Sequence, residues 1–448
     1  MFMGQQCVDT IPGQQDAERR HAERTWSHGQ PVTFLDGRPG KPAGESMNTA
    51  EAAWRRDYRL LWSGQFFATL GLMALVPLLP FYMDTLGSSD TANPRWTGLA
   101  LAAPAASVIM AAPLWGWLSD RSGRKTTVVY AFLGFALSMI LMALARTPLE
   151  FVLSRVLQGA CGLIVTIAAF VSASAPAQTR GRALGGLQSA TAAGSLAGPL
   201  LGGVMADVWS LRPLLLATGL ASAVGGVIAA RVLTRQTTAA TGAGHASPRR
   251  AVSAMFRDPG LRAFVLAGIC VQTGAYGLVS VFAPQVKALL ANPAYAATWV
   301  GVLYAVTWSV TLISAPWWGN RNDRTAMERN FFVAACGCAV SIACQALVTD
   351  VQWLVPLRMA QGFFFAALVQ SVYLRISRAG VMAHQGTQIG VANSLLMSGQ
   401  IIGPLVSAVL STFFALPVVF FSIAGIFVVA AGIVWRQRRH FLEVEYVS

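Results

Sequence analysis

Charge is scarce in this chain of 448 residues. Asp, Glu, Lys and Arg make up 12% of it, against ~25% in ordinary soluble domains. Acid is scarcer still: all nineteen Asp and Glu fall at the ends of apolar stretches or in loops, and none lies mid-stretch. The five histidines, His21, His28, His245, His384 and His440, sit in tails or loops, so none is available as a proton relay inside an apolar stretch. Cys161, Cys270, Cys336, Cys338 and Cys344 lie within apolar stretches with no paired loop cysteines, which argues against a disulfide framework. On a helix, Cys336-x-Cys338 points its thiols to different faces, so the pair reads as small apolar packing and no metal site is expected. An intramembrane enzyme or sensor would need clustered His, Asp or Cys within these stretches, and none is present, so no enzymatic activity is expected. A Gly-x-x-x-x-Gly-Lys-Ser/Thr loop is missing as well, which argues against ATP as an energy source.

What fills the chain instead is apolar sequence. It is 54% hydrophobic with a mean hydropathy of +0.53. Twelve stretches approach or exceed the ~20 residues that cross a bilayer: about 58–83, 96–118, 126–145, 151–173, 183–206, 213–233, 263–285, 298–318, 331–348, 353–374, 387–412 and 417–435. Backbone in hydrocarbon must satisfy its own hydrogen bonds, so runs of this length are expected to be helices. A soluble core has no room to hide twelve of them. The expected fold class is an all-α membrane protein of twelve transmembrane helices, numbered here as spans 1–12.

Three unlike motifs recur at nearly one spacing. Gly116-Trp-Leu-Ser-Asp120-Arg121 returns as Gly319-Asn-Arg-Asn-Asp323-Arg324, an offset of 203 (319 − 116). Arg155-Val-Leu-Gln158-Gly159 returns as Arg358-Met-Ala-Gln361-Gly362, again at 203 (358 − 155). Gly194-x-x-x-Gly198-Pro199 returns as Gly399-x-x-x-Gly403-Pro404, at 205 (399 − 194). The chain therefore reads as a duplication, and duplicated membrane halves are the build plan of secondary transporters. The expected organisation is a polar N-terminal extension 1–53, a six-helix half 54–233, a linker 234–260, a second half 261–436 and a tail 437–448. The segment from Met47 has the character of a short lead-in to span 1, so residues 1–46 read as an upstream extension and Met47 as an alternative start. No signal-peptide core precedes it.

Basic residues set the orientation. Nineteen Lys or Arg fall in the even-numbered turnarounds, the linker and the tail; the opposite loops hold four, Arg95, Arg146, Arg212 and Lys287. By the positive-inside rule both termini and the linker lie in the cytoplasm. The net charge of +14 is thus topology, and no nucleic-acid partner is expected.

Gly116-Trp-Leu-Ser-Asp120-Arg121-Ser-Gly123-Arg124-Lys125 closely resembles the loop motif between helices 2 and 3 of the major facilitator superfamily. Arg155-Val-Leu-Gln158-Gly159 resembles that family's helix 4 motif. Gly194-Ser-Leu-Ala-Gly198-Pro199-Leu-Leu-Gly202-Gly203 resembles its helix 5 exporter motif. Pro77-Leu-Leu-Pro80-Phe-Tyr82 is similar to the end of helix 1 in the twelve-spanner drug:proton antiporters, and Asp207-Val-Trp-Ser-Leu-Arg212-Pro213 to MdtG-like multidrug exporters. The resemblance covers 58–435. It implies two pseudo-symmetric six-helix halves, alternating access, and proton-driven export of small amphiphilic molecules from the inner membrane without any bound cofactor. A dedicated metabolite or siderophore exporter is the alternative, and a nutrient symporter is more remote. The implied partners are a small-molecule substrate, protons and lipid, with the protein a monomer.

Each motif carries an expected role. Gly116, Asp120, Arg121, Gly123, Arg124 and Lys125, with the degenerate copy Gly319, Asp323 and Arg324, are expected to form a conformational latch, Asp120 pairing with arginines and helix N–H groups. Arg155, Gln158 and Gly159 in span 4, and Arg358 and Gln361 in span 10, are expected in the cavity or its coupling, because an intramembrane charge faces the bundle interior. The donors of Arg155 could alternatively be held by carbonyls of span 1. Gly194, Gly198, Pro199, Gly202 and Gly203 of span 5, with Gly403 and Pro404 of span 11, are expected to form a kinked, smooth gate. Gln65, Gln272, Tyr276, Tyr304, Trp308 and Asn393 are the candidate substrate-cavity residues. Related antiporters for cations carry a buried carboxylate in helix 1, where this chain has Gln65, Phe66, Thr69 and Gly71. Two cavity arginines and no mid-membrane acid therefore favour anionic or neutral substrates.

Overall fold

A computed structural model of the protein describes residues 43–89, 92–176, 179–234, 253, 255–379 and 385–447, and within these the side chains of Gly116 and Asp120 are not among those described. Most of the 234–260 linker and the extension 1–42 lie outside the described residues. The described residues from 52 onward form one compact unit. What is described of residues 1–51 is the start of a helix, Ala43–Leu75. That helix begins upstream of residue 54, where the first half was expected to start; Glu51, Ala52 and Ala53 are strong helix formers and carry it back into the polar extension.

All twelve stretches are helical, and among the described residues there is no strand. Span 1 is broken near its end. Pro77 and Pro80 each withhold a backbone donor, so the helix passes through a 3-10 turn, Val76–Leu78, into a short helix, Leu79–Thr85. Spans 2 and 3, Asn93–Ser122 and Arg124–Leu144, are separated by one residue, Gly123, whose φ of +81° is open to glycine at little cost. Span 4, expected as one run, is two helices, Pro148–Cys161 and Leu163–Ser174, hinged at Gly162 with φ +54°. The remaining spans are Arg180–Val208, Arg212–Val232, Pro259–Leu289, Ala296–Arg324, Met327–Gln345, Leu354–Ala379, Gln385–Phe413 and Leu416–Val447. The last of these continues through the expected tail.

Among the described residues ten helical segments are long and apolar enough to cross a bilayer on composition alone, and spans 2 and 5 are outside that set. Span 5 falls outside that set because Gly, Ser and Thr dilute its Leu. It is nonetheless packed into the same bundle, against span 8. The exposed Leu133, Leu137 and Leu141 of span 3, Leu220 and Val224 of span 6, Val340 of span 9 and Val428 of span 12 form outward apolar faces.

The packing repeats as the sequence does. Spans 3 and 4, 2 and 4, and 3 and 6 pack together in the first half; 9 and 10, 8 and 10, and 9 and 12 do so in the second. Between halves, span 5 packs on span 8 and span 2 on span 11. Two ends of the bundle can be told apart: a basic end, with Arg121, Arg324 and Arg378, and a far end, where span 5 finishes and span 8 begins.

Candidate substrate cavity and helix contacts between the halves

A cavity of about 380 Å³ lies among spans 1, 5, 7, 8 and 10. Its wall is mostly apolar: Met73, Val76 and Pro77 from span 1, Pro199 from span 5, Leu278 and Val279 from span 7, Phe365, Ala366 and Val369 from span 10. Gln272, Tyr276, Tyr304, Trp308, Arg358 and Gln361 give it polar points, and among the described residues no Asp, Glu or His lines it. Four of the six expected cavity residues are therefore here. Gln65 instead donates to Thr191 Oγ1 at 3.0 Å, tying span 1 to span 5. Asn393 accepts from the Tyr373 hydroxyl at 2.9 Å nearer the basic end. Neither lines the cavity.

Arg358 is the charge of the wall. It is 2% exposed. Its guanidinium carbon stands 4.2 Å from the Phe282 ring centre and 4.4 Å from that of Tyr304, an attraction that reaches about 2 kcal/mol when desolvated. One terminal nitrogen donates to Gln361 Oε1 at 2.9 Å, and Gln345 donates to the same oxygen at 3.1 Å. Its Nε has no hydrogen-bond partner. A buried donor left unmatched is costly, and this one belongs to a residue that lines a cavity.

Arg155 repeats half of this and departs in the other half. It too bonds the glutamine three residues on, Gln158. Its Nε, however, donates to the Ala100 carbonyl at 3.0 Å. That carbonyl belongs to span 2, not span 1, because Gly159 brings span 4 against span 2: a Cβ there would stand 2.2 Å from the Pro104 carbonyl. Arg155 is not part of the cavity wall, though Tyr276 of the opposite half is near enough to interact with it electrostatically. Gly362 repeats the close approach against Thr307.

The glycines of span 5 are contact points. A Cβ at Gly194 would meet Leu70 N at 2.9 Å, at Gly198 Leu70 O at 2.7 Å, and at Gly202 Ala74 O at 2.5 Å, all on span 1. Gly203 faces the other way, where a Cβ would meet Ala297 O of span 8 at 2.5 Å. Gly399 and Gly403 press on span 7 in the same manner, at Ile269 O and Thr273 O. Pro199 is inside span 5 and Pro404 inside span 11, and each leads to a residue the motif search missed. A Cβ at Gly301 would meet Pro199 O at 2.2 Å, and one at Gly98 would meet Pro404 O at 2.9 Å. Gly98 and Gly301 are themselves 203 apart, a signal present in the sequence. So are Trp115 and Trp318, whose indole N–H groups donate to Ala160 O and Phe363 O.

At the basic end, Asp323 forms an ion pair with Arg378 at 2.8 Å, within the second half. Behind it Asn330 donates to Asn322 Oδ1 at 2.8 Å and Asn322 to Ser371 Oγ at 3.1 Å, joining spans 8, 9 and 10. The second motif copy thus sits in a network internal to its own half. Asp57, also missed, is 1% exposed and accepts from Thr234 N and Oγ1 at 3.1 and 2.9 Å, holding the start of span 1 to the end of span 6.

A repeated bundle of membrane helices around a central cavity, with broken helices and small-residue contacts between its halves, has the build of a secondary transporter. Residues 61–349 and 275–445 match the family model of the Major Facilitator Superfamily. The chain belongs to that superfamily. It is 34% identical over 403 residues to the Staphyloferrin B transporter of Staphylococcus aureus, covering 88% of this chain and 96% of the relative. To the multidrug resistance protein MdtG of Proteus mirabilis it is 26% identical over 376 residues, covering 84% and 94%. Among solved structures it is similar to a bacterial homologue of the human lysosomal transporter Spinster, inward-facing and unoccupied, with a TM-score of 0.72 at 16% identity over 87% of this chain and 98% of that one. The nucleoside transporter NupG gives 0.72 at 14% over 85% and 99%. The family and the relatives make the chain a membrane transporter, not an enzyme.

Proposed function

We propose that the chain exports a small anionic metabolite of the siderophore kind, driven by protons through alternating access. The observation that carries this reading is Arg358: a buried cation with an unmatched donor in the wall of a cavity that no carboxylate lines among the described residues. A low-dielectric cavity magnifies such a field, so an anion is attracted where a permanent cation is repelled. The relative at 34% identity, named for staphyloferrin B, points the same way.

The basic end is taken as cytoplasmic on the nineteen-to-four distribution of Lys and Arg. Direction follows from the Gly-Pro stripe of span 5, an exporter feature in the resemblance. With that orientation, the close approach of spans 5 and 8 at Gly203 and Gly301 lies on the outer side of the cavity. The carboxylates available to protons are then at the helix ends, Asp84 and Asp207 among them, rather than in the wall.

Broad multidrug export is the second reading. The apolar wall of Leu278, Val279, Phe365 and Val369 favours it, as do the MdtG relatives. Everted membrane vesicles with an imposed proton gradient separate the two. The first reading expects concentrative uptake of a carboxylate siderophore and little of a quaternary-ammonium dye; uptake of the dye alone overturns it in favour of the second.

A further inference from the structure

Helix N-termini leave their first N–H groups without partners, and spans 4 and 7 meet that need from the residue just before them. Thr147 accepts from Glu150 N at the start of span 4, and Asp258 accepts from Gly260 N and Leu261 N at the start of span 7. Span 8 does not. The residue before it, Tyr295, has no side chain able to cap, and no cap bond forms from it. The acceptor comes from the other half of the molecule: the carboxylate of Asp207, at the end of span 5, accepts from Ala297 N at 3.2 Å and from Thr298 N at 2.6 Å.

We propose that Asp207 is the clasp of the far end of the bundle, a positioning residue that holds spans 5 and 8 together while that end is closed and lets go when it opens. The geometry is specific. Both oxygens of one carboxylate are used, each on a different N–H of the first turn, where charge and helix dipole reinforce the bonds. Just below, Gly203 against Ala297 and Gly301 against Pro199 bring the same two helices into backbone contact. The glycines make the surfaces fit; the carboxylate supplies a directed bond that parting of the helices must break. Other polar groups at this end are weaker links: Lys287 lies 3.8 Å from Asp84, both side chains well exposed.

The clasp belongs to one interface. At the offset of 205 that relates Pro199 to Pro404, Asp207 corresponds to Thr412, whose hydroxyl donates to Ala408 O in its own helix. The equivalent contact of spans 2 and 11 therefore has the glycine fit, at Gly98, without the carboxylate. The inference rests on alternating access, not on the identity of the substrate.

Nitroxide labels at Leu149 and Leu347, exposed at the far end on opposite halves, read the opening directly by electron–electron distance in proteoliposomes without substrate. Asp207→Ala is expected to raise the ratio of long to short distances about tenfold, the factor that 1.4 kcal/mol makes. Asp207→Asn, which keeps the shape and one acceptor oxygen but loses the charge, should fall between Ala and wild type. Lys287→Ala, at the same end, should leave the distribution as it is. Wild-type distances in Asp207→Ala, or an equal shift in Lys287→Ala, overturn the clasp. Siderophore uptake, measured separately, tests the substrate reading alone.

Discussion

Arg155 and Arg358 hold equivalent places 203 residues apart, and each reaches a glutamine three residues on. Their Nε atoms decide their roles. That of Arg155 is matched by the Ala100 carbonyl, which makes it a tie between spans 4 and 2. That of Arg358 is unmatched, between two aromatic rings, in the cavity wall. Arg358→Ala is expected to lower uptake of an anionic substrate in everted vesicles about thirtyfold, the equivalent of ~2 kcal/mol, with expression retained. Arg358→Lys should recover part of it, since an ammonium keeps the charge but loses the flat face that packs between rings. Arg155→Ala should act on stability instead, lowering the thermal midpoint in detergent, because it strips a buried carbonyl of its donor. Sequence alone located both arginines and their glutamines. It did not show which one faces the cavity, because that depends on where span 2 lies, and Ala100 carries no side-chain signal.

Span 5 shows what a helix contributes as a surface. Gly194, Gly198 and Gly202 admit span 1, while Gly203 and the Pro199 carbonyl admit span 8 from another side. In lipid, where apolar surface alone does not drive helices together, such close approach is a main source of their affinity. Gly301→Leu is expected to force spans 5 and 8 apart at a cost of about 1–3 kcal/mol and to slow export while leaving substrate binding, read by ligand-induced thermal shift, close to wild type. Gly198→Leu, against span 1, should cost stability as well as transport. The span 5 stripe was legible because four glycines and a proline fall in one short segment. Gly98 and Gly301 were not singled out: each is a lone glycine, and only the partner carbonyl across the bundle gives it meaning.

For the whole molecule, the duplication seen in three motifs extends to contacts no motif contains, such as the paired Trp115 and Trp318 bonds to span 4 and span 10 carbonyls. The halves are alike in packing and unlike in chemistry. The cavity polarity comes mainly from the second half, and Asp207 marks the contact of spans 5 and 8 between the halves. At the basic end, Asp323 is engaged inside its own half; the latch between the halves is proposed for the first copy of the motif. Asp120→Asn is accordingly expected to abolish most transport without loss of folded protein, measured as uptake per unit of purified transporter. The central claim is an electropositive cavity that selects anions, and competition in proteoliposomes tests it most directly. A carboxylate siderophore and a quaternary-ammonium compound are offered together to wild type, Arg155→Ala and Arg358→Ala. The account predicts that wild type takes the anion, that Arg358→Ala loses this preference, and that Arg155→Ala keeps it in whatever protein remains folded. Strong transport of the quaternary cation, unchanged by either substitution, would contradict it.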